Sequence, residues 1–144
     1  MHNKTFLIFI TFLAFMSCKS TEKPFSPENT KSEFIIFGTG GGFTGQVSKY
    51  YFTKEGFLYA NSGEEIKLIG KSSKTLATQI FSNYSTLGLG KLVLNEPGNK
   101  YFFIESHIQG NLNSLKWGKE PLSNPDIETY FAILMNAVKK INNK

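Results

Sequence analysis

The sequence predicts an α+β domain, an antiparallel sheet of four to five strands with two helices packed on one face. Three observations predict it. Short runs of β-branched and aromatic residues follow one another with only turn residues between them, and two stretches carry apolar residues at helical spacing. Their order is strand, strand, strand, helix, strand, strand, helix, which excludes the regular alternation of a parallel α/β sheet. At 144 residues, with 40% apolar residues including 14 Phe and 6 Tyr, the chain suits one packed domain.

The first strand is Phe34-Ile35-Ile36-Phe37, apolar on both faces and bounded by Gly38. The second spans residues 47–53 around Tyr50, Tyr51 and Phe52, and the third residues 57–60 after the turn Lys54-Glu55-Gly56. Residues 65–69 offer a further short strand. Ser72 or Ser73 then caps a helix in which Leu76, Ala77, Ile80, Phe81 and Tyr84 form one stripe, stopped by Gly88. Residues 95–99, Asn-Glu-Pro-Gly-Asn, have turn composition. Residues 101–107 and 112–117 make a hairpin about Gln109-Gly110-Asn111. Asn124 and Pro125 open the last helix, with Asp126 and Glu128 at its positive end and Lys139 and Lys140 at its negative end. Its apolar stripe is Ile127, Tyr130, Phe131, Leu134, Val138 and Ile141. Two helices cover one face only. The second apolar face then needs shielding by residues 87–94, by a second copy of the chain, or by a partner.

The N-terminus carries a separate signal. A positive start, an apolar run over residues 5–16 and the small Ser17 have the layout of a secretory signal peptide over residues 1–17. Cys18 is the sole cysteine, and Phe15-Met16-Ser17-Cys18 resembles a relaxed bacterial lipobox; the common form has Leu and a small residue in place of Phe15 and Met16. That resemblance implies cleavage before Cys18 and its lipidation, with two or three acyl chains for stable anchoring in the cell envelope. Residues 18–32 read as the lipidated Cys and a flexible tether, and residues 33–144 as the domain.

Composition excludes several functions. The net charge is +5, but all sixteen basic residues are scattered Lys, without the Arg that reads phosphate and guanine bidentately, so no nucleic-acid partner is expected. Gly40-Gly41-Gly42-Phe43-Thr44-Gly45 matches the dinucleotide pattern G-x-G-x-x-G formally, yet a strand follows it where a helix must open. Glu64 and Glu65 are adjacent, so a strand would turn their carboxylates to opposite faces. After the signal, His107 is the lone His and Asp126 the lone Asp, too few for a zinc site and a poor basis for a triad. No catalytic residue, metal or cofactor is assigned. The expected function is a non-enzymatic binding module.

The most unusual local chemistry is residues 38–46, Gly-Thr-Gly-Gly-Gly-Phe-Thr-Gly-Gln, a glycine-built link between the first two strands. Gly42, Phe43, Thr44 and Gly45 are the candidate partner contact. Phe43 either anchors a partner or plugs the core, and the packing reading is favoured because most conspicuous aromatics pack. Gly41-Gly42-Phe43-Thr44-Gly45 after a short strand, a mid-chain helix, a Pro turn entering Tyr101-Phe102-Phe103-Ile104, a strand ending near Trp117 and a closing helix resemble small lipoproteins of gram-negative bacteria. More distantly, residues 33–141 are similar to emfourin-type inhibitors of thermolysin-like metalloproteases, which carry Gly-Gly-Phe-Ala-Gly near the N-terminus. Thr44 departs from that Ala, and Gly98-Asn99 from an acidic residue after the proline. The resemblance implies an envelope lipoprotein with a protein partner, a metalloprotease among the options. The alternative is an assembly subunit, or a homo-oligomer, joined through the uncovered sheet face.

Overall fold

The computed structural model describes residues 25–61, 63, 65–119 and 121–143. The signal-like run, Cys18 and Glu64 lie outside them. The described chain is α+β with two helices, as the patterning predicts, but its sheet is larger and of mixed direction. Seven strands, β1 (Phe34–Gly41), β2 (Ser48–Thr53), β3 (Phe57–Asn61), β4 (Ile66–Lys71), β5 (Leu94–Glu96), β6 (Lys100–Ile108) and β7 (Asn111–Trp117), lie in the order β4-β3-β2-β1-β6-β7-β5. All neighbours are antiparallel except β5 and β7, which pair in parallel. The expected four to five antiparallel strands are therefore corrected to a seven-stranded mixed sheet. The strand the patterning omits is β5, whose last two residues, Asn95 and Glu96, come from the stretch with turn composition.

The first strand also runs further than its apolar core. It continues through Gly38, Thr39 and Gly40 to Gly41, paired with β6 throughout and with β2 as far as Thr39. Half of the supposed glycine link is thus sheet. The register explains it: Gly38 faces Phe103 and Gly40 faces Tyr101 across the ladder, and a Cβ at Gly40 would run into the Tyr101 ring. Large rings on β6 lie over positions of β1 that lack side chains.

Helix α1 (Lys74–Thr86) starts where Ser73 accepts the Leu76 N–H at 3.2 Å, and buries Ala77, Ile80, Phe81 and Tyr84. Helix α2 (Asp126–Asn142) opens with the Asn124 side-chain oxygen accepting the Asp126 N–H at 3.0 Å, next to Pro125 at φ −69°. It buries Ile127, Tyr130, Leu134, Ala137, Val138 and Ile141, while Phe131, expected in the stripe, is only partly buried against Phe37, Phe102 and Trp117. Both helices pack on one face of the sheet, over Ile35, Phe37, Phe52, Leu58, Ile104, Leu115 and Trp117. Two polar bonds complete this core: the Tyr130 hydroxyl donates to the Ile80 carbonyl at 3.0 Å, and the Tyr84 and Ser106 hydroxyls share a bond of 2.6 Å. Burial, followed by Tyr84, pushes the Tyr130 hydroxyl well above the usual tyrosine range.

The opposite face buries Phe34, Ile36, Tyr51 and Phe103. Residues 87–94 do not shield it. Leu87, Leu89, Leu92 and Leu94 pack into the helix-side core instead, because the 3-10 turn Leu89–Lys91 lies next to α1 and carries its chain to that side. What lies on the second face is Phe25, from the stretch whose composition reads as tether. Its ring stacks on Tyr59 at 4.4 Å and meets Phe34 and Tyr51 edge-on at 5.7 Å. The following turn is closed by the Asn29 and Thr30 N–H groups on the Ser26 carbonyl. Ser32 donates to the Glu55 carboxylate, and Lys54 pairs with Glu33 at 2.6 Å.

Candidate functional site

The link between β1 and β2 is residues 42–47, shorter than the glycine content suggests. Two kinds of glycine build it. At Gly41, φ is +82° and an added Cβ would collide with the Asn99 carbonyl, so both conformation and close approach demand glycine. At Gly42 and Gly45, φ is +77° and +63° with open space around the missing Cβ, so backbone conformation alone is the reason. The Gly42 N–H donates to the Asn99 carbonyl at 2.8 Å, tying the loop to the turn before β6. The Gly45 N–H reaches back to the Gly42 carbonyl at 3.2 Å and closes a turn with Phe43 and Thr44 at its tip.

Phe43 points out. Its exposure is 107%, the full value for the residue, which overturns the favoured reading of an inward plug. The physical reason lies in the closed turn: the Gly42 N–H on the Asn99 carbonyl and the Gly45 N–H on the Gly42 carbonyl set the ring at the projecting tip. Val47, at the foot of the loop, is also exposed, at 48%. Beside it an open cleft of about 470 Å³ is lined by Gln46, Val47, Ser48, Lys49, Ala60 and Asn61. Thr44 and Gly45 are exposed with Phe43, and Gly42 is half-buried. Gly42, Phe43, Thr44 and Gly45 therefore form one continuous projection.

The other chemistry-bearing residues are kept apart. His107 stacks on Phe34 at 4.3 Å on the face opposite the helices, whereas Asp126 starts α2, whose Ile127 is buried in the helix-side core. Among the described residues, no group of three or more His, Cys, Asp or Glu could hold a metal ion. The segment after the glycine loop is the strand Ser48–Thr53, so the loop opens no helix on which a pyrophosphate could rest. Near the far end of β6 a cavity of about 260 Å³ lies beside the Tyr84–Ser106 pair, with Lys91 and Asn113 in its wall. Sequence patterning missed it, since it depends on where α1 ends against the β6–β7 hairpin.

The chain matches no model of a known protein family and no curated protein. No helix among the described residues is long and apolar enough to cross a membrane.

Proposed function

We propose that this chain is a non-enzymatic envelope lipoprotein, anchored through lipid on Cys18, whose domain binds a protein partner through the loop of Gly42, Phe43, Thr44 and Gly45. The observation that carries this reading is Phe43, a phenylalanine fully exposed on a turn held by Asn99. Burying such a ring is favourable by about 1.5–3 kcal/mol, and a partner pocket supplies that burial where the domain does not. A turn fastened to its neighbour loses little entropy on binding, and rigid aromatic tips are the common anchors of interfaces. The resemblance to emfourin-type inhibitors makes a thermolysin-like metalloprotease the first partner to try.

The test is crosslinking and mass spectrometry on intact envelopes, comparing the wild type with Phe43→Ala. The variant keeps its melting temperature, within about 0.5 kcal/mol of stability, because nothing packs on the ring. It loses the crosslinked partner. Equal capture by both proteins removes the loop as the contact. An assay against thermolysin-like enzymes runs beside it, and the absence of inhibition removes the protease as the partner.

A further inference from the structure

The sheet face opposite the helices has an unusual finish. Cross-strand partners share a face, so the register places Leu68 opposite Tyr59 and Leu112 opposite His107 on this side. Both leucines stand out into solvent, at 57% and 73% exposure, near opposite edges of the sheet. Between them lie the rings of Phe25, Phe34, Tyr51, Tyr59, Tyr101 and Phe103. Lysine ammonium groups ride on three rings of this side: Lys71 on Phe57 at 4.2 Å, Lys116 on Tyr101 at 5.1 Å and Lys49 on Phe103 at 5.9 Å. Glu105 shares the face by its pairing with Ile36, and Glu28 and Glu65 border the groove beside Phe25.

We infer that this face rests on the phospholipid surface to which the chain is anchored, an inference that stands on the lipoprotein reading of Cys18. The chain leaves the described structure at Phe25, on this face. Only residues 19–24 lie between Phe25 and Cys18. Seven Cα–Cα steps of at most about 3.6 Å give a reach of roughly 25 Å, so the docked ring holds this side of the domain near the bilayer. The surface chemistry suits that neighbour. Aromatic rings with amphipathic Lys belong to the water–lipid interface, where an ammonium that rests on a ring in water turns outward to headgroup phosphate and leaves its stem on apolar groups. Leu68 and Leu112 are placed to enter the acyl boundary. The three carboxylates suit a surface with zwitterionic headgroups rather than a purely anionic one.

The test uses the full-length lipidated protein in vesicles of phosphatidylethanolamine and phosphatidylglycerol. Cys18 is occupied by lipid, so Leu68→Cys, Leu112→Cys and, on α1, Gln79→Cys each give one nitroxide position. Accessibility to an aqueous nickel reagent and to oxygen is compared between detergent and vesicles. Positions 68 and 112 lose most of their accessibility to nickel and gain accessibility to oxygen in vesicles, while position 79 stays open to nickel. Equal accessibility at all three positions in a protein shown by mass to be lipidated overturns the orientation and leaves the anchor standing. Shielding of 68 and 112 that grows with protein concentration in soluble Cys18→Ser protein, without vesicles, overturns it in favour of a second copy. An unmodified Cys18 in the intact mass removes the anchor reading and the orientation with it.

Discussion

Phe34-Ile35-Ile36-Phe37 sends alternate side chains to the two faces of the sheet, and the two faces are finished in different ways. On one, Ile35 and Phe37 lie beneath α1 and α2 in a core that also closes over Leu58, Leu115, Trp117, Tyr130 and Leu134. On the other, Phe34 and Ile36 are buried as well, yet neither helix of the described residues covers them. Phe34 is covered there by the rings of Phe25 and His107, and lysines ride on the neighbouring rings, Lys49 on Phe103 and Lys116 on Tyr101. The difference teaches that low exposure alone does not make a core. A helix-covered side chain is surrounded on all sides, so truncation leaves a cavity; a ring covered by a lysine stem has a lid that swings away and admits water.

The largest expected effect follows from that contrast. Leu134→Ala on α2, fully buried beneath the sheet, costs about 2–5 kcal/mol of unfolding free energy. Denaturant unfolding measures it as a fall in midpoint with an unchanged slope. A loss under about 1 kcal/mol would mean that the helix layer collapses freely, and the distinction between the faces would fail.

Much of this architecture is legible in the residues themselves. Both helices, the cap at Ser73 and the hairpin about Gln109 and Gly110 follow from local rules, and those two turn residues take φ of +53° and +75° as a tight two-residue connection requires. What escaped local reading depends on partners far away in sequence. Gly38 and Gly40 look like loop because glycine weakens strands, and only the register with β6 shows the rings that fill their places. Strand β5 is three residues with a parallel partner, too short to carry a period. Phe25 sits in a polar, proline-flanked stretch with no alternation, and nothing local tells that its ring docks on Tyr59. The outward Phe43 inverts a sound general expectation, because a closed turn decides its direction and hydrophobicity does not.

The next effect in size sharpens the comparison from the open side. Phe25→Ala removes three ring contacts, each worth about 0.5–1.5 kcal/mol beyond area, from a residue that solvent already reaches. The net loss expected is about 1–2 kcal/mol, a drop of a few degrees in Tm. Limited proteolysis gives the second readout, with faster cleavage within residues 26–32 and no change at α2. A destabilisation equal to that of Leu134→Ala would make Phe25 a true core residue and the open face a second core. No change at all would detach the segment from the sheet.

The smallest effect concerns the fastening of that same segment at Ser32. Burial tends to raise the Glu55 carboxyl, but the hydrogen bond from Ser32, its own backbone N–H, the Thr53 hydroxyl and the Lys54 charge together hold it below its usual value of 4.5. A carboxyl lowered in the folded state adds stability above the unfolded value, and that stability fades as pH falls through the folded one. The contribution is therefore complete at neutral pH and disappears on acidification below 4.5. Glu55 is largely exposed, so solvent screening limits it to less than about 1 kcal/mol. Glu55→Gln removes the proton linkage: the wild type loses its small advantage over the variant as the pH falls, and the two unfolding curves converge in acid. Because Ser32 holds the segment that carries Phe25, proteolysis within residues 26–32 should accelerate over the same acid range in the wild type and show a flatter pH response in Glu55→Gln. Parallel pH profiles for the two proteins would show that Ser32 and Glu55 do not fasten the segment, leaving Phe25 and the Glu33–Lys54 pair to hold it on the sheet.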